Sequence, residues 1–291
     1  MRDYIGSGHI AGVVGVSKWS SPIQVWLELT DAHFDNDVSG NPHIKAGLLL
    51  EPVIAQNFAN ENNVKLIKGI LTKHKNKEYL GATPDYLFMR DDKFCIVECK
   101  NTSAYNAKNF ETEAPEEYVC QVQWQMHICD IDVAYIHVLI DGWQFKTFEI
   151  YRDFELGEIL EAHATKFWQE NIIQGIRPPL DNANDKILDK LFDRPSEGKE
   201  ISFPLKSELL VERDELKKQI KELQEQVDDI DKKVKIVMED AEFAITNDLK
   251  YKIKVSIIKQ PEKVIKAHEY KKVTISKISE RDKQKLLKEG K

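Results

Sequence analysis

Gly81-Ala82-Thr83-Pro84-Asp85-Tyr86-Leu87-Phe88-Met89-Arg90-Asp91-Asp92-Lys93-Phe94-Cys95-Ile96-Val97-Glu98-Cys99-Lys100 holds two short apolar runs on either side of a polar turn. Tyr86 to Met89 and Phe94 to Val97 are the runs, and Arg90-Asp91-Asp92-Lys93 is the turn, the pattern of a β-hairpin. Side chains alternate along a strand, so Glu98 and Lys100 share a face and Cys99 points the other way. Asp85 opens the first strand and Glu98 closes its antiparallel neighbour, which brings the two carboxylates together. Two carboxylates beside a lysine suit a hard divalent cation and a polarised water, because such cations take oxygen ligands and lower the pKa of bound water. On its own the pattern is short, and an ordinary charged surface hairpin reads the same way.

The chain has 291 residues, 42% hydrophobic and 31% charged, with a net charge of −7. That is long enough for a full core with an extension. No apolar run approaches the ~20 residues of a membrane span. No apolar region follows Met1-Arg2-Asp3-Tyr4 as a signal peptide requires, so a cytoplasmic protein is expected. The net charge hides an asymmetry: residues 247–291 carry 14 Lys and Arg against 6 Asp and Glu. Acidic balance elsewhere opposes non-specific DNA binding but leaves room for a locally basic groove or a metal site. Cys95, Cys99, Cys120 and Cys129 form no CxxC pair, and Cys95 and Cys99 fall on the strand face opposite Glu98. They read as small buried apolar groups rather than zinc or iron–sulfur ligands.

Upstream, small residues punctuate a short apolar helix from about His9, with Ser7 and neighbouring glycines at its start. Ser20-Ser21-Pro22 begins a second helix. Asp35 to Pro42 is a polar loop. Ala46 to Asn60 reads as a helix with Leu49, Val53, Ile54 and Phe58 as its apolar stripe, and Glu51 off the centre of that stripe. Val64 to Thr72 reads as one strand. Downstream, Pro115-Glu116-Glu117 opens a helix running to Cys129. Tyr118, Gln121 and Gln125 share one face of it. A buried amide needs partners, so the plainer reading of Gln123 and Gln125 is exposure. His127 reads as a packing histidine. Asp132–Ile140 and Trp143–Tyr151 form a hairpin about Asp141-Gly142, and Asp153 to Gln174 is an amphipathic helix. The order is that of an α/β fold with a mixed sheet.

Residues 181–204 are polar and turn-rich and read as a linker. Leu209, Leu216, Leu223, Ile230 and Val237 then recur every seven residues, with Ile220, Val227 and Val234 between them and Arg213 as the polar intruder. This is a coiled-coil repeat. Packing on the chain's own domain and packing on another subunit both stay open. Residues 249–258 read as a strand with Lys250, Lys252 and Lys254 on one face, paired with Val273–Ser276. The expected divisions are 1–180 for the core, 181–204 for the linker, 205–246 for the heptad helix and 247–291 for a basic β segment and tail.

Five motifs in order carry a family resemblance: Arg2 with Ile5-Gly6-Ser7, Gly47-x-x-x-Glu51-Pro52, Ala82-Thr83-Pro84-Asp85, Glu98-Cys99-Lys100 and Tyr118-x-x-Gln121-Val122-Gln123. Over residues 2–180 the chain resembles the YqaJ-type viral recombinases, relatives of the lambda exonuclease family in the PD-(D/E)xK nuclease superfamily. The resemblance implies a restriction-endonuclease-like α/β (α+β) core, its mixed central sheet flanked by helices, with the long coiled-coil helix and a small β extension beyond it. It implies a two-metal 5′-to-3′ exonuclease on double-stranded DNA ends, using Mg2+ with Mn2+ as a substitute. Asp85, Glu98 and Glu51 would bind metal, and Lys100 would activate the attacking water. Tyr118, Gln121 and Gln123 would position these groups. Arg2, Ser7 and Thr83 would hold the 5′ phosphate. The family makes 3′ overhangs for a single-strand-annealing recombination protein, and a trimer is implied, as is a phage or prophage origin in a bacterial host cytoplasm. Where the family often reads Gly-Gly-Ser-Asp, this chain has Gly6-Ser7-Gly8-His9. A DNA-binding or assembly module and an endonuclease of the same fold are the alternatives.

Overall fold

The hairpin at Asp85–Lys100 supplies two neighbouring strands of the five-stranded sheet. Its turn residues Asp91 and Asp92 both have positive φ, 52° and 59°, the conformation of the two-residue turn that matches strand twist. That turn pairs Arg90 with Lys93 and carries the register through to Tyr86 opposite Val97.

The structure is a computed structural model and describes residues 3–31, 41–181, 183–192, 194, 197–200, 202, 204, 206–248, 250–257, 279, 281, 284 and 288. In chain order the elements are α1 (Ser7–Val13), α2 (Pro22–Thr30), α3 (Pro42–Asn62), β1 (Ile67–Lys68), β2 (Thr72–His74), β3 (Lys77–Ala82), β4 (Tyr86–Arg90) and β5 (Lys93–Thr102). A 3-10 turn, Ala104–Phe110, leads to α4 (Glu116–Cys129), β6 (Val133–Ile140), β7 (Gln144–Tyr151) and α5 (Phe154–Phe167), which runs on as π-helix through Ile173. Then come α6 (Asp185–Leu191), α7 (Glu208–Met238), β8 (Phe243–Ile245) and β9 (Lys252–Lys254).

Five strands form one mixed sheet in the order β1-β4-β5-β6-β7. Only the β5–β6 pair is parallel, so its connection must cross over, and α4 is that crossover. The two faces of β5 then bury different partners. Cys95, Val97 and Cys99 pack with Ile54, Ala55 and Phe58 of α3. Ile96 packs with Val122 and Met126 of α4. On its far side α4 turns Cys120, Trp124 and Ile128 to α1 and α5. An element covered on both sides has no solvated stripe, which is why α4 buries Gln123 and Gln125 as well. The expectation that these amides are exposed is therefore corrected. Cys95, Cys99 and Cys120 are free and buried.

The stretch 64–72 does not form one strand. It breaks at Gly69, between β1 and β2. A Cβ on Gly69 would lie 1.9 Å from the Pro84 carbonyl oxygen, and the Gly69 N–H donates to the Asp85 carbonyl at 3.0 Å. The chain must thus come backbone to backbone just where Asp85 sits. The segment read as a linker, 181–204, contains α6. Ile187 of that helix is buried with Ile23 and Leu27 of α2.

Two compact units result, residues 1–191 and 192–291. In the second, α7 is a single 31-residue helix. β9 pairs with β8; Val273–Ser276, the partner expected from sequence, lies outside the described residues. Lys252 and Lys254 both lie over the Phe243 ring, at 4.8 and 5.4 Å. No described helix is long and apolar enough to cross a membrane.

Gly69→Ala tests the backbone contact. Overpacking against a fixed carbonyl lowers the melting temperature by roughly 5 °C. Gly47→Ala is the control: a Cβ there meets nothing within 4 Å, and alanine is favoured over glycine in a helix interior, so thermal denaturation shows an unchanged or higher midpoint.

Candidate active site

The register that pairs Tyr86 with Val97 sets Asp85 beside Glu98 at the mouth of the hairpin. Asp85 Oδ2 accepts the Cys99 N–H at 2.9 Å. Glu98 is only 2% exposed, so its charge must be met inside the protein. Lys100 Nζ donates to Glu98 Oε1 at 2.7 Å. Gln121 Nε2 donates to the same oxygen at 2.6 Å, and Gln125 Nε2 donates to Oε2 at 2.8 Å. Gln121 Oε1 accepts from Lys100 Nζ at 3.0 Å, closing a three-residue ring. Carboxylate oxygens only accept and ammonium protons only donate, so this network sets which end of the Gln121 amide faces which partner. The Tyr118 ring lies under the ammonium, 4.8 Å from Nζ, a cation–π contact.

Charge is distributed unevenly. Burial and then the neighbouring Glu98 carboxylate push the Asp85 carboxyl from 3.8 up to about 7, against the pull of Lys100 and the Cys99 N–H. Burial alone would lower the Lys100 pKa, but Glu98 and Asp85 outweigh it and hold the ammonium above its ordinary value. Lys100 is therefore a fixed cation at neutral pH. Burial raises the Tyr118 phenol, although Lys100 opposes it. The donor set at Asp85 and Glu98 fits a hard cation. It is all oxygen, and Asp85 carries a carboxylate whose ionisation is disfavoured until further positive charge arrives.

Sequence reading and structure part company at several residues. Glu51 sits on α3 close enough to raise the Asp85 pKa slightly, but its carboxylate pairs with Lys68, which also lies over the Tyr86 ring at 4.4 Å. It does not complete a three-carboxylate cluster with Asp85 and Glu98. Gln123 is not in the site. Its Nε2 donates to the Tyr151 carbonyl at 2.8 Å and its Oε1 accepts the Asp153 N–H at 2.9 Å. It clamps α4 to the β7–α5 connection. Gln125 takes the place beside Glu98 instead, because positions four apart share a helix face and positions two apart do not. The shared face of Tyr118, Gln121 and Gln125 was the signal in the sequence.

Ser7 is buried at the start of α1 and Thr83 is exposed before Pro84. Arg2 lies outside the described residues. The departure at His9 has a structural role: its Nδ1 accepts the Gly6 N–H at 3.1 Å, the reciprocal bond an acidic N3 residue makes in a capping box. Ile5 is pinned to β3 through Tyr79 O and Gly81 N at 2.8 and 3.0 Å.

Among the described residues a second group of potential metal donors is His74, His127 and Glu161. Its hydrogen bonds point another way. The Asn76 N–H donates to His74 Nδ1 at 3.3 Å, so the neutral ring carries its proton on Nε2, the atom facing Glu161 at 3.7 Å. His127 Nδ1 is buried without a partner, whereas a metal-bound histidine donates from its second nitrogen. Lys77 already neutralises Glu161 at 2.7 Å. Glu161 is thus met by Lys77 and, across 2.7 Å, by His127 Nε2, with His74 Nε2 standing 3.7 Å off.

Comparison with known proteins places these features in a wider set. Residues 1–132 match the YqaJ-like viral recombinase domain. The uncharacterized protein YqaJ of Bacillus subtilis (strain 168) is 31% identical over 249 residues, covering 83% of this chain and 77% of that protein. An alkaline exonuclease from Laribacter hongkongensis, known from a crystal structure, is similar with a TM-score of 0.50 at 21% identity, over 59% of this chain and 89% of that one; this likeness is one of fold. A phage related exonuclease from Haemophilus somnus 129PT gives a TM-score of 0.44 at 18% identity, over 60% of this chain and 96% of that one.

Two measurements test the electrostatics. The folded pKa of Asp85 lies above its unfolded value, so the group stabilises the fold at acid pH and loses that contribution as pH rises from about 4 through about 7. Asp85→Asn removes the loss: without divalent ions at pH 8, its melting temperature exceeds the parent's by a few degrees, and the difference vanishes near pH 4. Gln125→Leu strands Glu98 Oε2 and costs about 1–3 kcal/mol in denaturant titration.

Proposed function

Because this chain belongs to the YqaJ-like viral recombinase family, we propose that it is a metal-dependent deoxyribonuclease. It digests linear double-stranded DNA from the 5′ end and leaves 3′ overhangs for phage-type recombination. The observation that carries this reading is the convergence of Asp85, Glu98 and Lys100 at one hairpin mouth, with Gln121 bridging the last two.

Asp85 and Glu98 would hold the cation, Mg2+ or Mn2+. When bound there, it supplies Lewis-acid polarisation of the scissile phosphate and a water of lowered pKa. A second ion would need a third carboxylate, and Glu51 is paired with Lys68. The proposal therefore rests on the Asp85–Glu98 pair. Lys100, a cation throughout the neutral range, is a donor and not a base. Its role is to orient the attacking water and stabilise the negative charge that gathers on the phosphorane. Gln121 fixes the Lys100 ammonium in direction, and Tyr118 supports it from below. Arg2, Ser7 and Thr83 are proposed to meet the 5′ phosphate. The partners are duplex ends and a single-strand-annealing protein, and the compartment is the bacterial cytoplasm.

Duplex DNA labelled separately at the 5′ and 3′ ends tests the reading. Label is released from the 5′ end first, and EDTA stops release. Asp85→Asn, Glu98→Gln and Lys100→Ala each slow it by on the order of 10²–10³-fold or more; any one of them digesting at the parent rate removes that residue from the mechanism. Gel retention without cleavage in Mg2+ would instead assign the chain to a binding module. A phosphorylated 5′ end is digested faster than a hydroxyl end, and Arg2→Ala erases that preference; indifference of the parent enzyme to the end group would favour an endonuclease.

A further inference from the structure

In the second unit β8 and β9 form a two-stranded hairpin whose register sets Phe243 opposite Lys254 and Ile245 opposite Lys252. Directly opposed residues point to the same side of a sheet, so one face carries a ring, an aliphatic side chain and two ammonium groups. Ala244 and Ile253 belong to the other face. Asp248 holds the turn, accepting from the Thr246 hydroxyl at 2.6 Å and from the Lys250 N–H at 3.2 Å. It also pairs with the Lys250 ammonium at 3.4 Å. Among the described residues no carboxylate pairs with Lys252 or Lys254; both ammonium groups lie over the Phe243 ring instead.

Two ammonium groups and a ring on one face suit a ligand that has both phosphates and a free π-face. Single-stranded nucleic acid has both along one backbone, and it binds such surfaces by aromatic stacking and phosphate contacts together. A duplex offers the phosphates but keeps its bases stacked inside. The exchange on binding is also favourable. A base takes the ring from the two lysines, and each ammonium moves to a phosphate, which carries a full opposite charge where the ring has only a quadrupole. The distribution of charge along the chain agrees. Residues 247–291 carry 14 Lys and Arg against 6 Asp and Glu, whereas the remainder carries 28 against 43. Attraction for a polyanion is therefore concentrated in this segment. Lysines placed only to keep a strand edge from aggregating would need no ring between them.

We propose that the β8–β9 hairpin binds single-stranded DNA, with Phe243 stacking on a base and Lys252 and Lys254 meeting its phosphates. The nuclease reading enters only in naming the source of that strand, the 3′ overhang. Fluorescence anisotropy of labelled oligo(dT) with the full chain in EDTA reports the binding, and no catalytic group is altered. Phe243→Ala weakens it at least about fivefold, and Phe243→Trp retains it. Phe243→Ala leaves the affinity for an abasic strand of equal length unchanged, because only a base meets the ring; a hairpin that had lost its fold would weaken both. Lys252→Gln with Lys254→Gln lowers the slope of log affinity against log salt by about 1.4, the share of two phosphates on a single strand. A parent that does not bind oligo(dT), a Phe243→Ala variant that binds as the parent does, equal losses on the normal and abasic strands, or an unchanged salt slope each overturns the proposal. Digestion is measured separately with Mg2+, so the two readings fail independently.

Discussion

A carboxylate that is nearly sealed from solvent governs the first unit. Glu98 lies in a central strand, and an ionised group there without partners would cost several kcal/mol. Its donors come from two sources. Lys100 is two residues along the same strand, and Gln121 and Gln125 are one turn apart on α4. A shift of α4 by one residue would swing both amides away. The crossover helix is thus held in register by hydrogen bonds on one edge and by Val122 and Met126 against the sheet. Packing and polar satisfaction specify the same position, the agreement across levels expected of a sequence with one native structure.

Asp85 is held differently. Backbone groups fix it: the Cys99 N–H on its carboxylate and the Gly69 N–H on its carbonyl. Only a residue without a Cβ lets the 69–70 backbone approach so closely. Its neighbour Glu98 and its burial leave it reluctant to ionise. The hairpin mouth therefore has one carboxylate fully compensated by the protein and one that is not. At the His74–His127–Glu161 group, by contrast, Lys77 already meets the carboxylate at 2.7 Å.

The second unit is built on opposite terms. α4 is covered by protein on both sides and buries two amides among its apolar residues. α7 is apolar chiefly along one stripe, with charged residues over most of the rest of its surface, including the exposed pairs Lys218–Glu222 and Lys221–Glu225 at 3.8 and 3.7 Å. Such pairs add only a few tenths of a kcal/mol. The stability of a helix like this comes from what its stripe packs on.

The sequence by itself determined the hairpin, the mixed sheet, the long heptad helix and the trio Asp85, Glu98 and Lys100, because these follow from periodicity, turn chemistry and strand alternation, which are local. It also held the clue to Gln125, since Tyr118, Gln121 and Gln125 share a helix face by spacing alone. Tertiary structure decided which amides are buried. Gln123 and Gln125 are the same residue type two positions apart, yet one clamps the β7–α5 connection and the other holds Glu98, a difference set by what lies on each side of α4. It decided that Glu51 turns to Lys68 and that the chain breaks at Gly69 where β1 would have run on. Each depends on a partner from a distant part of the chain, and no local pattern encodes which partner will arrive.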